Sequence, residues 1–270
     1  MIYLFIILSI IVCLFLVYIC ILIKPYKSNS DVSPLLRDYA HRGLHSADSP
    51  ENSLKAFSLA CEKGYGIELD VQLSKDGTVM VFHDYTLTRM TENNSKLSDL
   101  TCDELQNILL INSSEKIPTL QEVLNLVNGK VPLLIELKGE NFDTSLCKAV
   151  SDILADYKGL YCIESFNPLL IREIRKYLPN AFIGQLYTNV CRDKNKVSPL
   201  NIILTLMAFN FLAKPDFISY NHLDRNTVPV ILSTKLYKAH KFVWTVKTEE
   251  QLKDALKHRE CAIFENIDIY

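Results

Sequence analysis

The sequence predicts an α/β fold, and three observations carry the prediction. From about residue 38 onward, short apolar runs alternate with amphipathic stretches, a pattern of parallel strands joined by right-handed helical crossovers. Eight such runs can be counted, which suits a closed barrel, although an open doubly wound sheet has the same periodicity. The chain has 270 residues, and an α/β barrel takes about 250 residues as one domain.

The elements follow in order. Ile2 to Ile23 is apolar except for Ser9. At about 1.5 Å per residue it would reach roughly 33 Å as a helix, enough to cross a hydrocarbon core. Only Met1 precedes the run, and the run is long for a signal peptide, so residues 1–23 read as a retained transmembrane helix. Lys24 and Lys27 follow it, which puts the remainder on the cytoplasmic side of a single-pass protein. Residues 24–37 read as a linker because Pro25, Ser28, Asn29, Ser30 and Pro34 break both periodicities.

Residues 38–270 form the barrel unit. Its expected strands are 38–42, 66–72, 132–138, 159–165, 181–186, 215–220, 242–246 and 261–265. Helices are expected near 52–63, 119–128, 142–156, 168–178, 226–239 and 248–258. An extra strand at 78–82 leads into a polar, partly helical insertion at about 85–117. Leu200 to Ala213 is mostly apolar but too short to span a bilayer, so it is expected as a helix that is buried or, second choice, interfacial.

Composition excludes several classes. Apolar residues make up 49% and charged residues 22%, so a large core is possible and global disorder is not expected. Lys plus Arg is 29 against 31 Asp plus Glu, a balance that argues against nucleic acid as a partner. The eight cysteines form no CxxC pair, so no zinc site is expected.

Four clusters carry chemistry. His41-Arg42-Gly43 closes the first strand, where barrel loops build active sites. The histidine can shuttle protons and the arginine offers a planar fork to phosphate. Alone, the tripeptide reads equally well as a charged turn. Glu68 and Asp70 are two apart on a strand, so both carboxylates face one side. Two buried carboxylates repel, and a hard divalent cation relieves the repulsion. His83 follows the extra strand and would share acid and base duties with His41. Glu136 and Lys138 again share a strand face. Glu136 would be a third metal ligand and Lys138 a phosphate partner, unless the two simply satisfy each other. Trp244, the only tryptophan, reads as a substrate cover or as core.

Taken in order, His41-Arg42-Gly43, Pro50-Glu51-Asn52-Ser53, Glu68-Leu69-Asp70-Val71-Gln72, Lys75-Asp76-Gly77-Thr78 and His83-Asp84 resemble the N-terminal signature of the glycerophosphodiester phosphodiesterase family. Ile117-Pro118-Thr119-Leu120, Glu136-Leu137-Lys138, Ser165-Phe166 and Trp244-Thr245-Val246 continue it. The resemblance spans Tyr39 to about Phe264. It implies a TIM-like (β/α)8 barrel with 85–117 as a small helical insertion. It assigns Glu68, Asp70 and Glu136 to one divalent cation, Mg2+ or Ca2+. It makes His41 and His83 the acid/base pair, sets Arg42 and Lys138 on the phosphate, and lines the alcohol side with Phe166 and Trp244. Glu265-Asn266-Ile267-Asp268 departs from the family pattern, which is richer in Gly and Thr there.

The expected activity is metal-dependent hydrolysis of glycerophosphodiesters to glycerol 3-phosphate and an alcohol. The apolar anchor and the 200–213 stretch raise an alternative, lysophospholipase D-type cleavage of membrane lysophospholipids. A membrane-tethered barrel without catalysis is a third reading, disfavoured because both histidines and all three carboxylates are present.

Overall fold

A computed structural model describes residues 1–26, 31–139 and 142–267. Nine strands are present among them: β1 (Tyr39–Ala40), β2 (Gly66–Leu73), β3 (Val79–Val81), β4 (Leu133–Leu137), β5 (Tyr161–Ser165), β6 (Phe182–Tyr187), β7 (Phe217–Asn221), β8 (His240–Val246) and β9 (Cys261–Phe264). All but β3 are parallel neighbours in the order β1-β9-β8-β7-β6-β5-β4-β2, and β1 also pairs with β2, which closes an eight-stranded barrel. The open doubly wound alternative is thereby excluded. β3 runs antiparallel to β2 and carries the chain outward into the insertion.

Helices return the chain between strands because their apolar faces need the outer surface of the sheet. Leu54–Lys63 shows why the local sequence folds so: the Ser53 side chain accepts from the Ala56 N–H at 3.1 Å, and Gly64 ends the helix at φ +74°. Ala56, Phe57 and Ala60 lie buried on its inner face. Inside the barrel, Tyr39, Leu134, Cys162, Phe182, Phe217, Phe242 and Ile263 pack into a floor. The acidic residues of β2, β4 and β5 therefore stand above an apolar plug.

The structure corrects four expectations. The linker is not merely a spacer: Ser33–Leu35 forms a 3-10 turn whose Leu35 joins the barrel floor, and the Tyr39 hydroxyl donates to its carbonyl. Lys27 to Ser30 lie outside the described residues, as do Asp268 to Tyr270. The helix expected over 226–239 is instead a short α-helix, Val228–Ile231, followed by a π turn, Leu232–Leu236. The 200–213 stretch is not one helix: Pro199–Thr205 and Asn210–Ala213 are separated by Met207 at φ +50°. Nor is that stretch buried as a unit, since Leu200, Ile202, Ile203, Leu206 and Phe211 are exposed while Asn210 and Ala213 are covered. The insertion has its own core of Met80, Phe82, Leu87, Leu97, Leu105, Leu110 and Ile117 around a short helix, Cys102–Gln106.

Candidate active site

The site forms where strand ends converge. Arg42 and Gly43 both adopt left-handed backbone, at φ +56° and +81°. At Gly43 a Cβ would also come within 3.0 Å of Ala56, so only glycine lets the loop lie on the helix. This turn aims the Arg42 N–H at Glu68, which accepts at 2.8 Å. Asn52, held by its own N–H on the Arg42 carbonyl, donates from Nδ2 to Asp70 at 2.8 Å.

Register brings the carboxylates together. Asp70 of β2 lies beside Glu136 of β4, and Glu136 lies beside Glu164 of β5. Ligand oxygens of Glu68, Asp70 and Glu136 all fall within 4.8 Å of one another, and all three residues are buried. Lys138 Nζ donates to Glu136 at 2.9 Å and sits 3.1 Å from Asp70. The pairing read as an alternative for Lys138 is therefore present, and it coexists with the metal-type cluster.

Burial pushes the Glu68 carboxyl well above the usual carboxylate range, and its neighbours Asp70 and Glu136 add to the rise. Burial pushes Glu136 up to about 7 against the pull of Lys138. For Asp70, burial is outweighed by Lys138, His83 and Arg42, which hold it well below the usual range. Three oxygen donors, crowded and almost dry, two of which hold protons more tightly than ordinary carboxylates, fit a hard divalent cation that would replace those protons. Asp70 Oδ1 makes no hydrogen bond of good geometry and has only the Lys138 ammonium, at 3.1 Å, beside it.

Both histidines line the same cavity of about 100 Å³, together with Arg42, Glu68, Glu136, Glu164, Phe166 and Trp244. His41 Nδ1 meets Glu265 at 2.8 Å and His83 Nδ1 meets Asp84 at 2.6 Å. An ionised carboxylate only accepts, so each Nδ1 carries a proton and each ring keeps Nε2 for chemistry. Burial draws both imidazoles below their ordinary value. Phe166 packs edge-on to Trp244 with ring centroids 5.6 Å apart, and Trp244 Nε1 donates to the Ser219 carbonyl. All nine residues singled out by sequence thus gather here.

Others were missed. Glu51 joins Arg42 at 2.8 Å to Arg89 of the insertion at 2.7 Å, and Arg89 reaches Asp84 at 2.6 Å. A chain of alternating charges so runs from Arg42 to His83. Glu51 and Asn52 sat in a quoted motif without a role. Glu164 is fully buried beside Glu136, and burial keeps its carboxyl well above the usual range. Its signal was an acid within an apolar strand. Glu265 had no local signal, because its partner is 224 residues away.

Comparison with known proteins agrees with this geometry. Residues 41–266 match the model of the glycerophosphoryl diester phosphodiesterase family. A glycerophosphodiester phosphodiesterase of Caldanaerobacter subterraneus subsp. tengcongensis is 32% identical over 232 residues, covering 81% of this chain and 88% of that protein. Among solved structures, the glycerophosphodiester phosphodiesterase of Thermotoga maritima superposes with a TM-score of 0.64 at 26% identity, covering 85% of this chain and 94% of that one. A phosphodiesterase of Oleispira antarctica, solved with the product sn-glycerol-3-phosphate, has the same fold at a TM-score of 0.69 and 23% identity, covering 85% of this chain and 92% of its own. The closed barrel, the acidic cluster and the paired histidines thus sit in a chain that belongs to the glycerophosphoryl diester phosphodiesterase family.

Proposed function

We propose that this chain hydrolyses glycerophosphodiesters to glycerol 3-phosphate and an alcohol. The observation that carries the reading is the convergence of two carboxylate-anchored imidazoles and three clustered carboxylates on one cavity. Glu68, Asp70 and Glu136 would hold one divalent cation, magnesium or calcium. When bound, such an ion polarises a phosphoryl oxygen and stabilises developing charge. Arg42 and Lys138, both nearly buried, balance the rest of that charge. One imidazole Nε2 takes the proton of the attacking hydroxyl, which is water, giving glycerol 3-phosphate directly, or a neighbouring substrate hydroxyl, giving a cyclic phosphodiester that water then opens to glycerol 3-phosphate. As the phosphorus–oxygen bond to the alcohol breaks, the other imidazole, protonated, gives its proton to the leaving oxygen. Phe166 and Trp244 offer an apolar wall to that alcohol.

The test is release of glycerol 3-phosphate from glycerophosphocholine by the full-length protein, with and without chelator. Full turnover after verified metal removal would reject the metal-binding role, and no turnover in any metal would reject the activity.

A second reading, lysophospholipid cleavage, has its own support. A cavity of about 240 Å³ adjoins the site and shares Phe166 and Leu186 with it. Its wall is continued by Val190, Leu204, Met207 and Phe209, which suit a single acyl chain. Turnover of lysophosphatidylcholine against glycerophosphocholine separates the two.

We read Ile2–Leu22 as a retained membrane span, with the barrel on the cytoplasmic side by the following lysines. Retention is supported by how the end of the helix is held. Ile23 is fully buried, Asn210 Nδ2 donates to its carbonyl at 3.0 Å, and the Tyr237 hydroxyl donates to the Ile19 carbonyl at 2.5 Å. Cleavage after the apolar run would strip packed chain from the barrel.

A further inference from the structure

The apolar helix does not leave the barrel at an arbitrary angle. Tyr26 gives its N–H to the Pro215 carbonyl at 2.8 Å, two residues before β7 begins, so it lies at the base of the barrel. Its ring stacks under the Arg175 guanidinium, near the end of the helix that descends from β5. Ile23 follows, against Asn210. Tyr18 then donates its hydroxyl to the Leu206 carbonyl at 3.0 Å. Leu206 precedes Met207, which lines the cavity adjoining the active site. Traced from Tyr26 back to Tyr18, the chain therefore climbs the barrel wall from base toward mouth, and the exposed residues 2–16 continue beyond it.

Beside Tyr18, the mouth carries a run of exposed apolar side chains. Val197, Leu200, Ile202, Ile203 and Leu206 are 77%, 58%, 42%, 37% and 38% exposed on one short stretch. Clustered exposed apolar side chains mark a contact surface rather than ordinary solvent-facing protein. Lys194 and Lys196 stand exposed just before them, as basic residues do at the edge of an interfacial segment. The same stretch walls the active-site annex from inside, through Leu204 and Met207.

We infer that the barrel is held mouth-down on the bilayer, with residues 197–206 seated in the lipid interface next to Tyr18. The inference rests on the membrane-span reading above. The barrel-side interface then lies at the level of Tyr18, an aromatic with a polar tip suited to that depth, so that residues 2–17 enter the lipid while Ile19 and Ile23 stay packed on the barrel. Substrate reaches the site from the lipid surface, and the loops at the base face water.

Tryptophan scanning in nanodiscs containing brominated phosphatidylcholine tests this. Trp244 is the only native tryptophan, so full-length protein with Trp244→Phe gives a dark background. Leu14→Trp reports the span, Leu200→Trp and Ile203→Trp report the mouth, and Leu160→Trp reports the base, where Leu160 immediately precedes β5. The expected result is loss of most emission at the span and at both mouth positions, with none at the base. Quenching of the span alone overturns the inference and leaves the anchor standing. Quenching of the base, with or without the mouth, overturns it as well. An unquenched Leu14→Trp variant overturns the anchor and the inference together.

Discussion

Glu265 Oε2 lies 2.8 Å from His41 Nδ1, tying the loop after the last strand to the loop after the first. Glu265 also faces His45 Nε2 at 3.7 Å and is paired with Lys247. The hydrogen bond from His41, with the nearby His45 ring and Lys247 adding to it, holds the Glu265 carboxyl well below the usual range. It therefore stays charged beside an imidazole whose ring it orients.

Glu265→Gln keeps the size and a hydrogen-bonding oxygen but removes the charge that favours the imidazolium. We expect kcat to fall at least about tenfold with KM little changed. In a His41→Ala background the same change should cost nothing further, because residues acting as a unit are not additive. An additive loss in the double variant would show that Glu265 acts elsewhere.

Removal of either imidazole should be severe. His41→Ala and His83→Ala are each expected to lower kcat by about 10²–10⁴-fold, the range for a positioned acid or base. Thermal unfolding of both variants should stay close to the parent. A variant retaining near-full turnover would remove that histidine from the mechanism.

Metal binding should be linked to protons. Glu136 goes from an ordinary 4.5 up to about 7 in the metal-free fold, chiefly through burial. The folded state then holds a proton that the unfolded chain has already lost. That contribution to stability is complete below pH 4.5 and disappears as pH rises through about 7. His41 and His83, drawn below their ordinary value, act in the opposite sense over the same range, so the Glu136 contribution is read as a difference: from pH 5 to pH 8 the melting temperature of metal-free protein should fall more, or rise less, in the parent than in Glu136→Gln. Bound metal must displace the proton, so affinity should weaken below pH 7 by up to about tenfold per pH unit for each proton released. Titration calorimetry in two buffers of different ionisation enthalpy counts those protons, and a count of zero contradicts the assignment of Glu136.

Gly184 of β6 sits where a Cβ would come within 2.1 Å of the Phe217 ring. That ring is fully buried in the barrel floor and has nowhere to move. Gly184→Ala should therefore destabilise by about 1–3 kcal/mol, as overpacked cores do. Denaturant unfolding measures it, and an unchanged midpoint would mean the floor is looser than its geometry indicates.

Much of this molecule is legible in its sequence because local periodicity reports local geometry. The eight expected barrel strands fall within two residues of the observed ends, and the period of two correctly set Glu68 beside Asp70 and Glu136 beside Lys138. Where periodicity was weak, so was the prediction: the apolar 200–213 stretch breaks at Met207, which no apolar count can locate. Which strands are neighbours, and hence that Glu136 lies between Asp70 and Glu164, is set by barrel closure. The same closure brings Glu265 to His41, and packing alone fixes where Tyr18 meets Leu206. Sequence by itself determined the residue types and the faces they occupy, since these depend on neighbours a few positions away. Tertiary structure decided which distant charges share one dry site, because only the closed fold excludes the water that would otherwise screen them.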